Sequence, residues 1–585
     1  MLLLEKTMLF PLACLLSALA PVHATPADPP AARLVGLWGN ETVAAAVEGD
    51  LTIDGRDAGW RGAIVGFEAV VQQQGDRLSL ALPGGQGQFR GKLSRDRSTV
   101  EGFWIQPPGM ALASAYATPV VLKRTQPGVW RGAVHPLPER LSQYLAIQRE
   151  ADGALSAFIR NPEFNLAREH VLTVSTDGDK VTFDDPARPG WALHATLDEE
   201  TGQLRVNWQG IGVFAFTRRD RGHAVGFHAR TPAAASWQPR TPLDLADGWP
   251  TALPGDVGLD EGRLGALVAR LQQTPAAGAP QVQGLLIARH GKLVVEEYFH
   301  GFDAARPHDT RSAGKTFAPL LVGLAMAQGR GIGPGAPVLA LLPDRAGSAG
   351  QDPRKARITV ADLMSMTSGL ACDDNDPQSP GNEDTMQGQH RQDDWYRYTL
   401  ALPMARDPGG PQAVYCSAGI NLLGAVVAKA TGQWLPAFFD QYVARPLQMH
   451  GYHINLMPGG EAYLAGGIYL RPRDMLKLGQ LYLSGGTWNG RRIVDQAWVR
   501  ASTTEHSHFG PGHGYGYGWH LHTFHAGGRD YREYAAEGNG GQFVIVLPEL
   551  DVTVAITAGN YGDFKTWYAL QGLVARYIIP GKSGD

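Results

Sequence analysis

The chain is short of cysteine, of charge and of long hydrophobic runs. Three cysteines in 585 residues exclude a disulfide-dense scaffold. Charged side chains are 18% of the residues and hydrophobic ones 44%, so the chain can build cores and is not of the disordered class. There is no basic surplus: 52 Lys plus Arg face 56 Asp plus Glu, a formal net charge of −4, and nucleic acid is not an expected partner. Neither a Cys-x-x-Cys nor a His-Glu-x-x-His pattern is present. No Gly-x-Ser-x-Gly turn exists to carry a Ser-His-Asp triad.

The strongly apolar stretch lies at the start. Lys6 precedes an apolar run from Met8 to Ala20, and Val22-His23-Ala24 puts small residues at −3 and −1, the pattern of an export signal over residues 1–24. Pro11 interrupts the run, which falls short of the roughly 20 residues that a membrane-spanning helix needs. The mature chain is therefore expected to be periplasmic or secreted, with no stable membrane insertion after cleavage. Cys372 and Cys416 then share an oxidising compartment, where a disulfide and a pair of buried thiols both fit the sequence.

Residues 25–230 read as an all-β domain, a meander or barrel. Short apolar or alternating runs such as Arg77 to Leu82, Val120 to Lys123 and Gly212 to Thr217 are broken by Gly, Asp and Pro. Trp60-Arg61-Gly62-Ala63 returns as Trp130-Arg131-Gly132-Ala133, and Leu37-Trp38-Gly39 is similar to Val129-Trp130-Arg131-Gly132, which points to duplication. Residues 231–256 carry Pro232, Pro239, Pro242, Pro250 and Pro254 without periodicity and read as a Pro-rich linker. Residues 257–585 follow another pattern. A helix over Leu264 to Gln272 and a hairpin over Gly284 to Phe299 are answered at the far end by a hairpin over Gln542 to Thr557 and a helix whose Trp567, Leu570, Val574 and Ile578 share one face. This predicts an α+β domain: one antiparallel sheet built from both chain ends, flanked by helices, with a mostly helical insert.

Within that domain Arg311-Ser312-Ala313-Gly314-Lys315 leads into Phe317, Leu320, Leu321, Leu324 and Ala327, an apolar stripe at i, i+3, i+4, i+7 spacing. Ser312 therefore opens a helix, with Lys315 lying over its hydroxyl. A desolvated lysine there falls in pKa and takes the serine proton, while the N–H groups of the helix start favour a developing oxyanion. Tyr415-Cys416-Ser417 stands just before a second apolar helix, Ile420 to Ala430. A tyrosine beside the lysine acts as a proton shuttle, its phenol pKa lowered by the neighbouring ammonium.

Four more segments complete a pattern: Asp362-Leu363-Met364-Ser365-Met366-Thr367-Ser368-Gly369-Leu370, Arg473-Asp474-Met475-Leu476-Lys477-Leu478-Gly479, Tyr515-Gly516-Tyr517-Gly518-Trp519 and Gly538-Asn539-Gly540-Gly541-Gln542. With these, the chain from about Asp247 to Tyr577 resembles the serine β-lactamase-related family, close to class C β-lactamases and penicillin-binding-protein-like hydrolases and their esterase and amidase relatives. The resemblance implies a β-lactamase/transpeptidase-like fold and a Ser312 nucleophile served by Lys315 and Tyr415. It further implies an acyl-enzyme hydrolysed by water, an oxyanion hole from the backbone N–H groups of Ser312 and Asn539, and substrate contacts from Ser417, Glu537 and Gly538.

The chain departs from the family twice. Ser417 stands where many members have an asparagine that bonds the substrate amide. The family's Lys-Thr-Gly motif falls just before Phe543 to Leu547, where this chain has Ala536-Glu537-Gly538, and no lysine occurs between Lys477 and Lys565. The cation that grips the carboxylate of a β-lactam or a peptide C-terminus is thus missing; Glu533 or Glu537 would repel it, with His520 or Arg532 as substitutes. The resemblance is nearer to carboxylesterases and aminohexanoate-dimer hydrolases and implies a small ester or amide substrate. A true β-lactamase, a D-amino-acid-specific peptidase and a non-catalytic ligand-binding or sensor protein are the alternatives.

Two clusters stand apart. His506, His508, His513, His520, His522 and His525 read as a Gly- and His-rich surface loop at the mouth of the site. Asp373, Asp374, Asp376, Glu383 and Asp384 read as a solvated loop bounding it, whose acids can select an amine-bearing substrate. On a strand His520 and His522 would put two imidazoles on one face, the alternative metal reading, and the acids miss the EF-hand spacing; no obligatory metal or cofactor is expected.

Overall fold

The alternating strands of the N-terminal region form two β-units, one inserted in the other. Gly36–Val43 pairs with Arg140–Arg149 on one side and Gly212–Arg219 on the other, closing eight antiparallel strands into a barrel. The chain between its first two strands builds a second, curled sheet from Gly49 to Val134. Each unit has its own apolar interior, with Trp38, Leu145, Phe183 and Phe216 in the barrel and Leu51, Phe89, Trp104 and Trp130 in the curled sheet. Tryptophans fill both. The Trp-Arg-Gly-Ala repeat has a structural counterpart: Arg61–Ile64 and Val129–Val134 flank the same strand, Gly49–Asp54, and Trp60 stacks on Trp130 at 5.5 Å.

In this computed structural model, residues 29–56, 59–109, 114–163, 170–208, 212–230, 236–272, 280–345, 347, 352–389 and 394–580 are described. The expected export signal lies outside them. Among the described residues no helix is long and apolar enough to cross a membrane.

In the C-terminal domain the hairpins from the two chain ends meet. Its sheet comprises β1 (Val282–Arg289), β2 (Lys292–Tyr298), β3 (Ser507–Gly510), β4 (His513–Tyr515), β5 (His520–Ala526), β6 (Arg529–Gly538), β7 (Gln542–Leu547) and β8 (Val552–Ala558). The order is β2-β1-β8-β7-β6-β5-β4-β3, antiparallel at every step. β1, β7 and β8 are apolar almost throughout because both faces are covered. Helices α1 (Glu261–Leu271) and α5 (Phe564–Ile578) pack on one face. Helices α2 (Phe317–Ala327) and α4 (Pro472–Leu483) pack on the other, with α3 (Ser417–Thr431) of the insert against α2. α2 is buried around its circumference, Val322 and Gly323 as well as the expected stripe, because sheet and insert enclose it.

The parts are tightly joined. Ala115–Gln126 of the curled sheet pairs with His453–Leu456, Ala117 facing Ile454, so a backbone ladder crosses from the β-units into the C-terminal domain. The Pro-rich stretch is docked where it is described: Asp247 ion-pairs with Arg473 at 3.1 Å, both buried, and Trp249 meets Trp488 edge-on at 5.0 Å. Residues 231–235 of that stretch lie outside the described residues.

Candidate active site

The site starts at a tight turn. Arg311–Thr316 is a 3-10 turn that runs straight into α2, and in such a turn residues three apart eclipse, which stacks Lys315 on Ser312. Thr310 anchors the entry, its N–H and hydroxyl both donating to the Ile468 carbonyl at 3.1 and 2.7 Å. Arg311 follows in a left-handed conformation at φ 48°. Lys315 Nζ donates to Ser312 Oγ at 2.8 Å and to the Ala465 carbonyl at 2.8 Å. A Cβ on Gly466 would come within 2.6 Å of the Arg311 carbonyl oxygen, so glycine at φ 131° lets that segment close over the turn. Lys315 is 2% exposed. Burial holds its amine below the ordinary 10.5, against the opposing pull of Glu383 and Asp374. An amine biased toward its neutral form, in contact with a half-buried hydroxyl, can accept that hydroxyl's proton.

Tyr415 closes a second side. Its hydroxyl hydrogen-bonds Ser312, and its ring centroid lies 5.0 Å from Lys315 Nζ. The expected pKa direction is reversed here. Burial raises the phenol, as do Asp374, Glu383 and Glu537, and the bond to Ser312 offsets only part of this. Tyr415 is thus a neutral phenol that can pass a proton on, and not a phenolate base.

Cys372 and Cys416 form a disulfide, one of the two arrangements the sequence allows. That bridge ties the acidic loop to the tyrosine loop. Asp374 N–H donates to the Tyr415 carbonyl at 2.9 Å, and Ser417 N–H to Asp374 Oδ2 at 2.8 Å. Ser417 is fully buried, its hydroxyl donating to Glu383 Oε2 at 3.3 Å. The acidic loop is only partly solvated: Asp376 and Asp384 are exposed, whereas Asp374 and Glu383 turn inward beneath Lys315 and Tyr463. Burial and Glu383 push the Asp374 carboxyl up to about 6. Tyr463, which donates to Glu383, belongs to no sequence motif and was missed.

The third wall is the end of β6. A Cβ on Gly538 would lie 2.5 Å from the Thr310 carbonyl oxygen and 3.0 Å from the Ala313 nitrogen, so only glycine lets β6 reach the Ser312 turn. This is the register expected for Ala536-Glu537-Gly538, and Asn539 comes next. Glu537 is buried and pairs with His522 at 3.1 Å. His520 packs on Tyr415 with centroids 6.4 Å apart, whereas Arg532 is exposed and bound to Glu549. Burial lowers His520 to about 4, so it faces the site uncharged and does not replace the missing lysine's charge.

The six histidines do not form one surface loop. His506 stacks on Tyr517 and His525 pairs with Asp530 at the surface. His513, His520 and His522 gather, His513 Nε2 lying 2.8 Å from His520 Nδ1. Among the described residues, His522, Glu533 and Glu537 can also offer ligand atoms within 4.8 Å of one another. Sequence spacing alone did not bring Glu533 to His522; the β5–β6 register did.

Residues 266–575 match the family model Beta-lactamase. A 6-aminohexanoate-dimer hydrolase of Paenarthrobacter ureafaciens is 26% identical over 249 residues, 41% of this chain and 60% of that protein, so the match spans less than two thirds of that relative. A D-stereospecific amidohydrolase structure from Streptomyces sp. is similar at 20% identity, over 54% of this chain and 99% of that one, with a TM-score of 0.42. A family VIII carboxylesterase structure is similar at 19% identity, over 54% of this chain and 97% of that one, with a TM-score of 0.41. The Ser312 turn, the tyrosine loop and the end of β6 all lie within the segment that the family model matches, and that segment is more than half of the sequence: the chain belongs to the beta-lactamase family.

Proposed function

We propose that the protein is an exported serine hydrolase, periplasmic or secreted, that cleaves an ester or amide bond of a small molecule through an acyl-enzyme on Ser312. The observation that carries this reading is the 2.8 Å contact from buried Lys315 Nζ to Ser312 Oγ. Ser312 Oγ attacks the carbonyl carbon as Lys315 takes its proton. The backbone N–H groups of Ser312 and Asn539 hold the oxyanion. Tyr415 relays the proton to the departing oxygen or nitrogen, the bond to the leaving group breaks, and water, deprotonated by the same pair, releases the acyl group.

Charge narrows the substrate. Asp374, Glu383 and Glu537 act on Tyr415 and His520 is held neutral, so a substrate carboxylate finds repulsion where the family's lysine would attract it. Neutral or amine-bearing substrates without a carboxylate fit better than β-lactams or peptide C-termini, which carry one. The test is turnover of short-chain p-nitrophenyl esters and of nitrocefin by the mature protein and by Ser312→Ala. Ester turnover with an acyl adduct on Ser312, both lost in the variant, supports the reading. Nitrocefin as the better substrate overturns the charge argument. Wild type as inert as Ser312→Ala overturns catalysis and leaves a ligand-binding protein.

A further inference from the structure

One buried cluster carries chemistry that Ser312 acylation does not use. β5 and β6 pair with His522 opposite Glu533, and Glu537 follows four residues later on the same face of β6. One ring nitrogen and one oxygen from each carboxylate lie within 4.8 Å of one another. Bonds of about 2.0–2.2 Å to a tetrahedral zinc-like ion place ligand atoms roughly 3.3–3.6 Å apart, so the set assembles by closing inward by about 1 Å.

Three observations point to an ion. Glu533 is 2% exposed, Glu537 is 5% exposed, and Glu533 Oε2 has no hydrogen-bond partner among the described residues. A buried carboxylate oxygen without a partner is unfavourable, and a dication removes that cost. The remaining contacts resemble the outer shell of a metal site. Gln571 Nε2 donates to Glu533 Oε1 at 2.5 Å and reaches Glu537 Oε1 at 3.5 Å, and the His522 ring hydrogen-bonds the Gly512 backbone, which orients it. The His522 side chain, 18% exposed, offers a path from solvent.

We propose that His522, Glu533 and Glu537 form a site for a divalent cation of the zinc class, with a further coordination position open to water. An imidazole with two carboxylates suits such an ion better than Mg²⁺, which favours six oxygens. The cation balances two carboxylates on the strand that ends against the Ser312 turn. It also adjoins a histidine chain toward Tyr415, with His522 4.7 Å from His513 by ring centroids and His513 bonded to His520 at 2.8 Å. The ion thereby neutralises the two buried carboxylates of the β6 wall without adding net positive charge to it. The inference rests on the cluster's geometry and not on the Ser312 reading.

The test is titration of tag-free, chelator-treated full chain with Zn²⁺ by calorimetry and with Co²⁺ by visible absorption. The expected result is one equivalent per chain, Co²⁺ bands of a four- or five-coordinate ion, and binding weakened at least about 100-fold in Glu533→Gln and in Glu537→Gln with unchanged circular dichroism. Absence of stoichiometric binding overturns the proposal. So does affinity that survives Glu533→Gln but is lost in His513→Ala, which would move the ion to the histidine pair. Should Glu533→Gln fail to fold, the partly exposed His522→Ala is read by the same criterion.

Discussion

The closed barrel has an apolar interior, whereas the domain that holds Ser312 buries ionisable side chains beside its own apolar core. The barrel interior is hydrocarbon and ring: Trp38, Leu145, Phe183, Leu204 and Phe216. Such burial stabilises by about 25 cal/mol per Å² of apolar surface and needs nothing else. The C-terminal domain instead buries Lys315, His520, Glu533 and Glu537. Burying charge costs free energy unless partners repay it, and the directions of shift, Lys315 down and Asp374 up, show that here they do so only in part. The comparison teaches where to look for chemistry: in the domain whose interior is electrostatically unfinished.

The contrast is broken most directly at Ser312. Ser312→Ala is expected to lower kcat/KM on p-nitrophenyl esters by at least about 10⁴-fold with unchanged circular dichroism, and Lys315→Met to do nearly the same. Next, Tyr415→Phe should cost about 10²–10³-fold. The wild-type rate should rise with pH along a limb below lysine's ordinary 10.5, and Tyr415→Phe should leave that limb in place. A limb that moved with Tyr415 would make the tyrosine the base.

The barrel supplies the opposite test. Trp38→Ala should destabilise by about 3–5 kcal/mol in denaturant unfolding, with kcat/KM of the still-folded protein unchanged. A large rate effect would erase the distinction between the regions. Reduction of Cys372–Cys416 should cost roughly 2–4 kcal/mol of stability and lower kcat as well, because the bridge holds the loop that presents Tyr415. Among residues of the site, the smallest rate effect belongs to Asp374. Its folded pKa, raised from 3.8 to about 6, gives stability that is present below 3.8 and lost as pH rises through about 6. Asp374→Asn should flatten that decline in melting temperature and lower the rate ratio of cationic to neutral esters a few-fold, on the order of 1 kcal/mol or less.

Much of the site was legible because its central pair is local. Ser312 and Lys315 are three residues apart, and any helical turn brings them together. Tyr415 needed the family resemblance, since nothing in its neighbours links it to a lysine a hundred residues upstream. The hairpin of β1 and β2 was readable from alternation and from His290-Gly291, both at positive φ. The division of the all-β region into a barrel and an inserted sheet was not, because short strands of similar composition carry no mark of which will pair to close. The bond from the Ser417 hydroxyl to Glu383, a partner 34 residues away, was not legible either.

By itself the sequence determined the elements, the apolar faces that order them and the pairing of Ser312 with Lys315, because these depend on periodicity and near-neighbour spacing. Tertiary structure decided the Cys372–Cys416 bond, the neutral phenol of Tyr415, the uncharged His520 and the meeting of His522 with Glu533. Each of those depends on what packs across from a side chain and on how much water is excluded there, and neither is written along the chain.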